Sequence, residues 1–477
     1  MTEISDTAAK RWVLALTSAG SLMAVLDALV VATALNTMRI DLHASIEALQ
    51  WTMNAYNLSF AVLLLTGAAL GDRFGRRRMF VAGLGLFVAA SAACALAGSA
   101  GWLIGARVLQ GAGAALVMPI AMALLSVTFP PQERAKALGI FSGVTGLALI
   151  VGPMLGGAIA QGAAWQWIFW INIPIGLIVI PLAHRRIPES FGAGTVVDGA
   201  GVVLVTGAAL GLVFGLMQGN VAGWGSPEVL AALGTGLVLA AGFVVWELRA
   251  QAPMVPMRLF GARAFSSGVG ACFLYSAGMY GVLFFLPQFL QTAQGYGPLG
   301  AGLRLLPWTA TLFVVAPVAG GLVNRIGERP LIVAGLVLQA VGMAWIAVIA
   351  APDLAFIRLV APLILSGAGV SMAMPAAQNA VLNSVARPEV GKASGVFNMF
   401  RFLGGVTGIA IAVAVFTATG GFRSATAFTA GFVAATGVSA ILSLLGAIAG
   451  LWQPARLHLP RNRQPPRYRL SSVPQPS

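Results

Sequence analysis

Charge is scarce in this chain. Only 9% of its 477 residues are Asp, Glu, Lys or Arg, while 58% are hydrophobic. Soluble domains carry about a quarter charged residues, because their surface must face water. A mean hydropathy of +0.88 excludes that class. Cysteine is nearly missing as well. Cys94 and Cys272 both fall in apolar runs, which excludes a disulfide framework. Histidine is equally thin: His43, His184 and His458 form no metal-ligating cluster. There is no phosphate-cradling glycine loop and no nucleophile motif in a fitting context. An ATP-driven pump and an enzyme are therefore disfavoured, and no cofactor or metal is called for.

What the chain has instead is a long series of apolar runs. A helix needs about 20 such residues to cross a bilayer. In lipid the backbone must satisfy its own hydrogen bonds, as helices or as a closed barrel. A barrel strand would alternate polar and apolar over about ten residues. These runs are continuous and rich in Ala, Leu and Gly, so the expected fold is all-α and polytopic. The first run is too long for a signal-peptide core and lacks a convincing cleavage site, so a retained helix is expected. Fourteen spans are expected, at about 12–35, 49–70, 79–98, 102–129, 135–160, 167–183, 198–217, 228–248, 265–290, 300–323, 330–350, 356–384, 393–417 and 427–452.

The net charge of +14 reads as a topology signal rather than as a nucleic-acid surface. Arg73, Arg76, Arg77, Arg78, Arg134, Lys136, Arg185 and Arg186 fall in loops on one side. Arg249, Arg258, Arg263, Arg325, Arg329, Arg387 and Lys392 join them, with Lys10, Arg11 and the basic C-terminal residues. The other side has little beyond Arg39, Arg358 and Arg423. Positive loops stay inside, so both termini are expected in the cytoplasm of a multi-pass inner (cytoplasmic) membrane protein. An even number of spans requires the same agreement.

The chain also repeats itself. GAGAALVMP and PPQERAKALGIF within 111–141 echo GAGVSMAMP and RPEVGKASGVF within 367–397. At a constant offset of 256, Gly111 meets Gly367, Gly113 meets Gly369, Glu133 meets Glu389 and Phe141 meets Phe397. DRFGRRR at 72–78 echoes NRIGERP at 324–330. Such an offset spans eight helices, so two pseudo-symmetric six-helix bundles are separated by two inserted helices. The expected division is 1–190, an N-terminal bundle; 191–260, two inserted transmembrane helices and a linker; 261–452, a C-terminal bundle; and 453–477, a disordered basic cytoplasmic tail. Duplicated halves rocking about a central site are a recurrent transporter plan. No buried charge is expected in the inserted pair, which favours lipid-facing spacers.

Ionisable residues inside a membrane are costly, so each is a functional candidate. Asp27 is the one carboxylate deep in an expected span, and Arg107 sits at similar depth in the fourth. Burial disfavours a carboxylate and a nearby guanidinium favours it, so small changes in water access can move its proton. The alternative is an ion pair that only fixes packing. Neither residue recurs in the second half, where Leu363 faces the position of Arg107. Features that the scaffold needs repeat, and these do not.

Gly152, Pro153, Gly156 and Gly157 offer close helix packing on the fifth span, or a seal against leak. In GDRFGRRR, Gly75 permits a tight turn, and Asp72, Arg73 and Arg76 suit a cytoplasmic gate loop. A basic loop that only sets topology is the alternative, though topology needs no acid. Gln110, with Gly111 and Gly113, belongs to the fourth span, and Gln110 is also a candidate to face a central cavity. Asn54, Asn57, Tyr275, Gln288, Gln378, Asn379, Asn398 and Arg401 are candidates for a substrate cavity, or else ordinary interhelical bonds. Arg401 is expected a turn or two inside the cytoplasmic end, as an inner gate or snorkelling outward. Trp51, Tyr56, Phe284, Phe285 and Trp308 could add aromatic walls or simply face lipid.

These segments resemble the major facilitator superfamily, in particular its fourteen-helix drug:proton antiporter branch. ALGDRFGRRR at 69–78 is similar to the superfamily's signature loop, with Ala68 where a Gly usually begins it. RVLQGAGAA at 107–115 is similar to the helix-4 motif, and the resemblance gives Arg107 a part in proton movement. GPMLGG at 152–157 resembles the antiporter motif, with Ala148 for its leading Gly. LDALVVATAL at 26–35 resembles the helix-1 motif whose Asp is implicated in coupling. WQWIFWINIPIG at 165–176 is also typical, except for Gln166 where Arg is common. The resemblance implies a proton-coupled antiporter exporting small amphiphilic drugs, antibiotics or metabolites by alternating access. The second half lacks the extra membrane carboxylates of some multidrug relatives, which speaks against dications. Expected partners are a small amphiphilic substrate, protons and membrane lipids, without nucleic acid, in a functional monomer. The competing readings are proton-coupled uptake of a nutrient and a non-transporting membrane sensor or scaffold.

Overall fold

The computed structural model describes residues 2–192, 198–386 and 389–454. Most of the expected tail at 453–477 and Arg387 lie outside the described residues. Among those described, helices are the regular structure and no strand occurs. Fourteen helices are long and apolar enough to cross a membrane, as the apolar runs require. They are α1 (Thr2–Asp41), α2 (Ile46–Phe74), α3 (Arg76–Ala95), α4 (Ala100–Thr128) and α5 (Pro131–Gly162). Then come α6 (Trp167–Arg186), α7 (Gly199–Ala222), α8 (Pro227–Arg249), α9 (Arg263–Thr292) and α10 (Pro298–Val323). Last are α11 (Glu328–Ile349), α12 (Ile357–Asn383), α13 (Val390–Thr419) and α14 (Ala425–Leu451).

Local chemistry sets the ends. Ser45, Ser99, Ser226 and Ser424 each cap a helix by accepting from the backbone N–H three residues on. Gly75 turns α2 into α3 at a φ of +104°, which an L side chain rarely adopts. α1 outruns the expected 12–35 at both ends, because hydropathy marks only its apolar part. Its polar extension is held where Trp165 Nε1 donates to Asp41 Oδ2 at 2.6 Å. α6 is interrupted after Trp170, and α10 at Leu305 and Ala310. A hydropathy window is blind to such breaks.

Glycines set which helices touch. A Cβ on Gly111 would collide with Tyr56 O and Ser59 Oγ of α2, and one on Gly113 with the α3 backbone at Gly83 and Phe87. In lipid such close approach replaces the hydrophobic effect as the main source of packing energy. Their repeats act alike. A Cβ on Gly367 would strike Trp308 O and Thr311 Oγ1 of α10, and one on Gly369 the α11 backbone at Gly335 and Gln339. α7 and α8 pack on each other through Gly211 and Gly236, and α7 also touches α2 and α13. The outer flank of α8 exposes Leu237, Val238, Val245 and Leu248, which suits lipid.

One expectation for the inserted pair fails. Glu247 on α8 is buried, at 2% exposure, and accepts from Val255 N–H at 3.0 Å. Hydropathy places it at a water-facing helix end, but the chain after α8 folds back over it.

α1–α6 and α9–α14 meet along α2–α13, α5–α10 and α1–α9. Toward the face opposite the termini this seam is tight. Gln291 Nε2 donates to Thr33 O at 2.9 Å, and Leu299 N–H to Gln161 Oε1 at 3.2 Å. Arg39 lies 4.4 Å over the Phe422 ring. Toward the terminal face α5 and α10 part. A Cβ on Gly139, Gly143, Gly320 or Gly321 would meet nothing within 4 Å.

Candidate functional site

The first apolar segment presents a single acid to the interior. Asp27 is 2% exposed and Arg107 only 1%. Asp27 Oδ2 accepts a charged hydrogen bond from Arg107. Its other oxygen, Oδ1, accepts from Gln110 Nε2 at 2.8 Å and from Asn172 Nδ2 at 3.0 Å. Arg107 also donates to Gln110 Oε1 at 2.7 Å and to Thr52 O at 3.2 Å. Its guanidinium lies 4.3 Å from the centre of the Tyr56 ring, a cation–π contact. Tyr56 is fixed in turn, since its hydroxyl donates to Ala24 O at 2.9 Å. Ser91 Oγ accepts from both Gln110 and Asn172, at 2.8 and 3.3 Å.

Five helices thus converge on one carboxylate: α1, α2, α3, α4 and α6. All five lie in the first half of the chain. The sequence paired Asp27 with Arg107 and assigned Gln110 to a cavity, and the structure brings all three together. It adds Asn172, Ser91 and Thr52, for which no role was expected, and it moves Tyr56 from a cavity wall to the ion pair. Asn172 could have been noticed as a lone amide in the apolar run WINIPIG.

The arrangement can hold a charge in a dry place without wasting it. A buried ion pair needs hydrogen bonds to its remaining lone pairs, and Asp27 Oδ1 has two beside the ion pair at Oδ2. Arg107 has further acceptors in Gln110 and Thr52, so its charge is not stranded when Asp27 takes a proton.

The expected antiporter segment lies directly beside this site. A Cβ on Gly152 would come within 2.8 Å of Leu29 Cβ, and one on Gly156 would strike Val30 O and Thr33 Oγ1. α5 therefore packs on α1 just after Asp27. Gly157 turns the other way, bare against Pro298 O of α10, and Gly302 of α10 is bare against Pro153 O. This segment joins the two halves.

The loop after α2 closes on its own half. Asp72 Oδ1 accepts from Arg76 at 2.7–2.8 Å, and the Asp72 carbonyl from Gly192 N–H at 3.0 Å. Arg73 lies against the Phe74 ring at 5.2 Å. Glu189, at the end of the first bundle, accepts from Arg77 N–H at 2.9 Å and Arg78 N–H at 3.3 Å. It caps the first turn of α3, which the sequence did not indicate.

The cavity candidates divide. Asn54 and Asn57 are buried with side-chain oxygens that have no partner. Gln288 Nε2 bonds within its own helix, to Phe284 O at 2.6 Å, and its oxygen has no partner. Asn398 Nδ2 bonds to Ser394 O at 2.9 Å. The Asn379 amide donates to Glu328 Oε1 at 2.9 Å, tying α12 to the start of α11. Tyr275 is packed on Cys272 and receives Gln339 Nε2 on its carbonyl at 3.2 Å. Phe284 and Phe285 belong to an aromatic cluster with Phe416 and Phe428, and Trp308 is buried against α12. Trp51 and Gln378 are half-buried. Arg401 lies 11 residues into α13, about 16 Å along it and deeper than expected. Among the described residues no three His, Cys, Asp or Glu side chains gather as a metal site.

The chain is similar to known membrane transporters. The family model described as Major Facilitator Superfamily matches residues 17–409 and again 268–467. The tetracenomycin C resistance and export protein of Streptomyces glaucescens is 35% identical over 400 residues, covering 82% of this chain and 73% of that one. The cephamycin export protein CmcT of Amycolatopsis lactamdurans is 35% identical over 421 residues, covering 87% and 86%. Among solved structures, a D-xylose-proton symporter superposes with a TM-score of 0.65 at 16% identity, covering 92% of this chain and 96% of that one. A POT family transporter reaches 0.69 at 14% identity, covering 91% and 94%. These last two likenesses concern the fold.

Proposed function

We infer function from one premise: the chain belongs to the Major Facilitator Superfamily. It is a multi-pass membrane protein of fourteen helices. On that premise it is a proton-coupled antiporter that exports small amphiphilic drugs, antibiotics or metabolites. Relatives whose names describe resistance and export of tetracenomycin C, multidrug resistance and cephamycin export support the direction and the cargo. The observation that carries the coupling is the Asp27–Arg107 pair, buried and hydrogen-bonded to Gln110 and Asn172 at the head of the α1–α5 contact.

In this reading Asp27 carries the proton. As the ion pair it is a base held ready; once protonated it releases Arg107 to Gln110 and Thr52. Cargo and proton then compete for the same pocket in successive states, which is exchange. The bundles at 1–190 and 261–452 rock about the α2–α13 and α5–α10 seams. Gly152, Pro153, Gly156 and Gly157 keep the far side closed while the α5–α10 gap admits cargo. Asp72, Arg73, Gly75 and Arg76 form the gate loop that changes partners when the gap closes. In this reading both termini are cytoplasmic and the membrane is the inner one, supported by the excess of basic residues in the loops on the terminal side, so the open gap faces inward. A single chain suffices, without cofactor.

The test is dye export from cells, or dye uptake into everted vesicles, at matched membrane amounts of protein. Export should follow an imposed proton gradient and stop with a protonophore. Export that ignores the gradient would overturn proton coupling. A failure to move any of a broad panel of amphiphiles would overturn the exporter reading.

A further inference from the structure

Arg107 and Arg401 both lie deep in the helices, and their surroundings differ. Arg107 has a carboxylate, an amide oxygen and a carbonyl. Among the described residues no carboxylate lies within ion-pair distance of Arg401; its guanidinium has the Tyr280 side chain and, at 5.3 Å, the Phe402 ring, while its buried Nε has no hydrogen-bond partner. A cation left in a membrane interior without a counter-ion is costly and is kept only for use.

Its place is at the seam between the halves. One turn before it, the Phe397 carbonyl meets Cys272 Sγ of α9 at 3.6 Å. One turn after it, Gly405 lies bare under the Tyr280 ring, where a Cβ would come within 2.9 Å. Arg401 thus faces α9, beside Tyr275 and Tyr280. The next residue, Phe402, packs edge-on to Phe60 of α2 at 4.4 Å. α2 brings a row of amides along one face, Gln50, Asn54 and Asn57, at spacings of four and three. Gln50 and Asn54 are fully buried, with both polar atoms of each amide unpartnered. Buried amides without partners belong where something polar arrives from outside.

We propose that Arg401, with Tyr280 beside it, receives an anionic group of the cargo, so that the protein takes aromatic amphiphiles bearing a carboxylate, sulfonate or phenolate. The proposal rests on the exporter reading above and names its substrate class. A guanidinium fork suits such a group, and Phe60, Phe402 and Tyr280 suit an aromatic body. The amide row takes hydroxyls or carbonyls elsewhere on the cargo. An inner gate made by Arg401 would need an acid to close on, and no described acid is in reach. The proposal also fixes the electrical sense of transport. One proton entering as one anion leaves carries two positive equivalents inward, whereas a cationic cargo would exchange silently.

The test uses fluorescein and rhodamine 6G, which share a xanthene ring and carry opposite charge. Binding to the purified full chain in nanodiscs is read by fluorescence anisotropy for wild type, Arg401→Gln and Arg401→Lys. Size exclusion and thermal unfolding confirm that each variant is folded. Wild type should bind fluorescein more tightly than rhodamine 6G. Arg401→Gln should weaken fluorescein about tenfold or more, and Arg401→Lys should fall between them. Equal fluorescein binding by wild type and Arg401→Gln would overturn the proposal. So would a wild type that prefers rhodamine 6G or binds neither dye. Flux in proteoliposomes separates this from the parent reading. Arg401-dependent binding without gradient-driven flux sinks the exporter and spares the anion site. Gradient-driven rhodamine 6G flux that is unchanged in Arg401→Gln does the reverse.

Discussion

α4 and α12 carry the same pair of glycines at an offset of 256, and each glycine does the same job in its half. Gly111 and Gly367 let the fourth helix of a half touch the second, and Gly113 and Gly369 let it touch the third. Their polar residues are not shared. Where α4 has Arg107 and Gln110, α12 has Leu363 and Ser366, both buried. Leu363 sits in the apolar core cluster, with no ion pair to make. Duplication copied the scaffold, and only one copy carries the charged site. A pair kept merely for packing would have had a ready apolar substitute, since the sister helix demonstrates one.

Breaking this contrast should have its largest effect at Arg107. Arg107→Leu imports the α12 residue and strands Asp27, which should cost about 3–5 kcal/mol of stability. Thermal unfolding in detergent reads it. The double variant Asp27→Leu with Arg107→Leu makes α4 resemble α12 more fully. It should regain most of that stability yet show no proton-driven export. A double variant that transports would remove the functional side of the contrast.

Next in size is the shared side. Gly111→Ala and Gly367→Ala each force a methyl into a facing backbone, and overpacking of this kind costs about 1–3 kcal/mol. Unfolding temperatures of the two variants should fall by similar amounts. A large disparity would mean that the halves are not packed alike.

The smallest effect is expected at the loop that only the first half elaborates. Glu189→Ala removes the carboxylate from the α3 N-terminus and should cost about 0.5–2 kcal/mol, by analogy with other lost helix caps. The same unfolding measurement checks it, and an unchanged midpoint would show that the cap contributes little.

Much of this was legible in the sequence, for identifiable reasons. Asp27, Arg107 and Gln110 stand out because polar groups in apolar windows are rare. The fourteen spans follow from hydropathy and the repeat from a constant offset. Asn172 and Ser91 stayed hidden, because small polar residues are common in such helices and only the fold brings them to Asp27. Glu189 lies 112 residues from the backbone N–H it caps, a distance no local pattern spans. Glu247 reads as an interfacial residue until the chain beyond α8 is seen to cover it. The bond of Asn379 to Glu328 joins residues 51 apart, which no local pattern links.

The central claim is that Asp27 carries the proton, and one variant in one preparation tests it most directly. Asp27→Asn keeps an amide of the same shape, which can still accept from Gln110 or Asn172 but cannot exchange a proton. In proteoliposomes loaded with a transported dye, it should still swap internal for external dye by counterflow. It should fail to concentrate that dye under an imposed proton gradient, which wild type does. If Asp27→Asn concentrates dye as well as wild type does, the proton travels elsewhere and the Asp27–Arg107 pair is only a packing device.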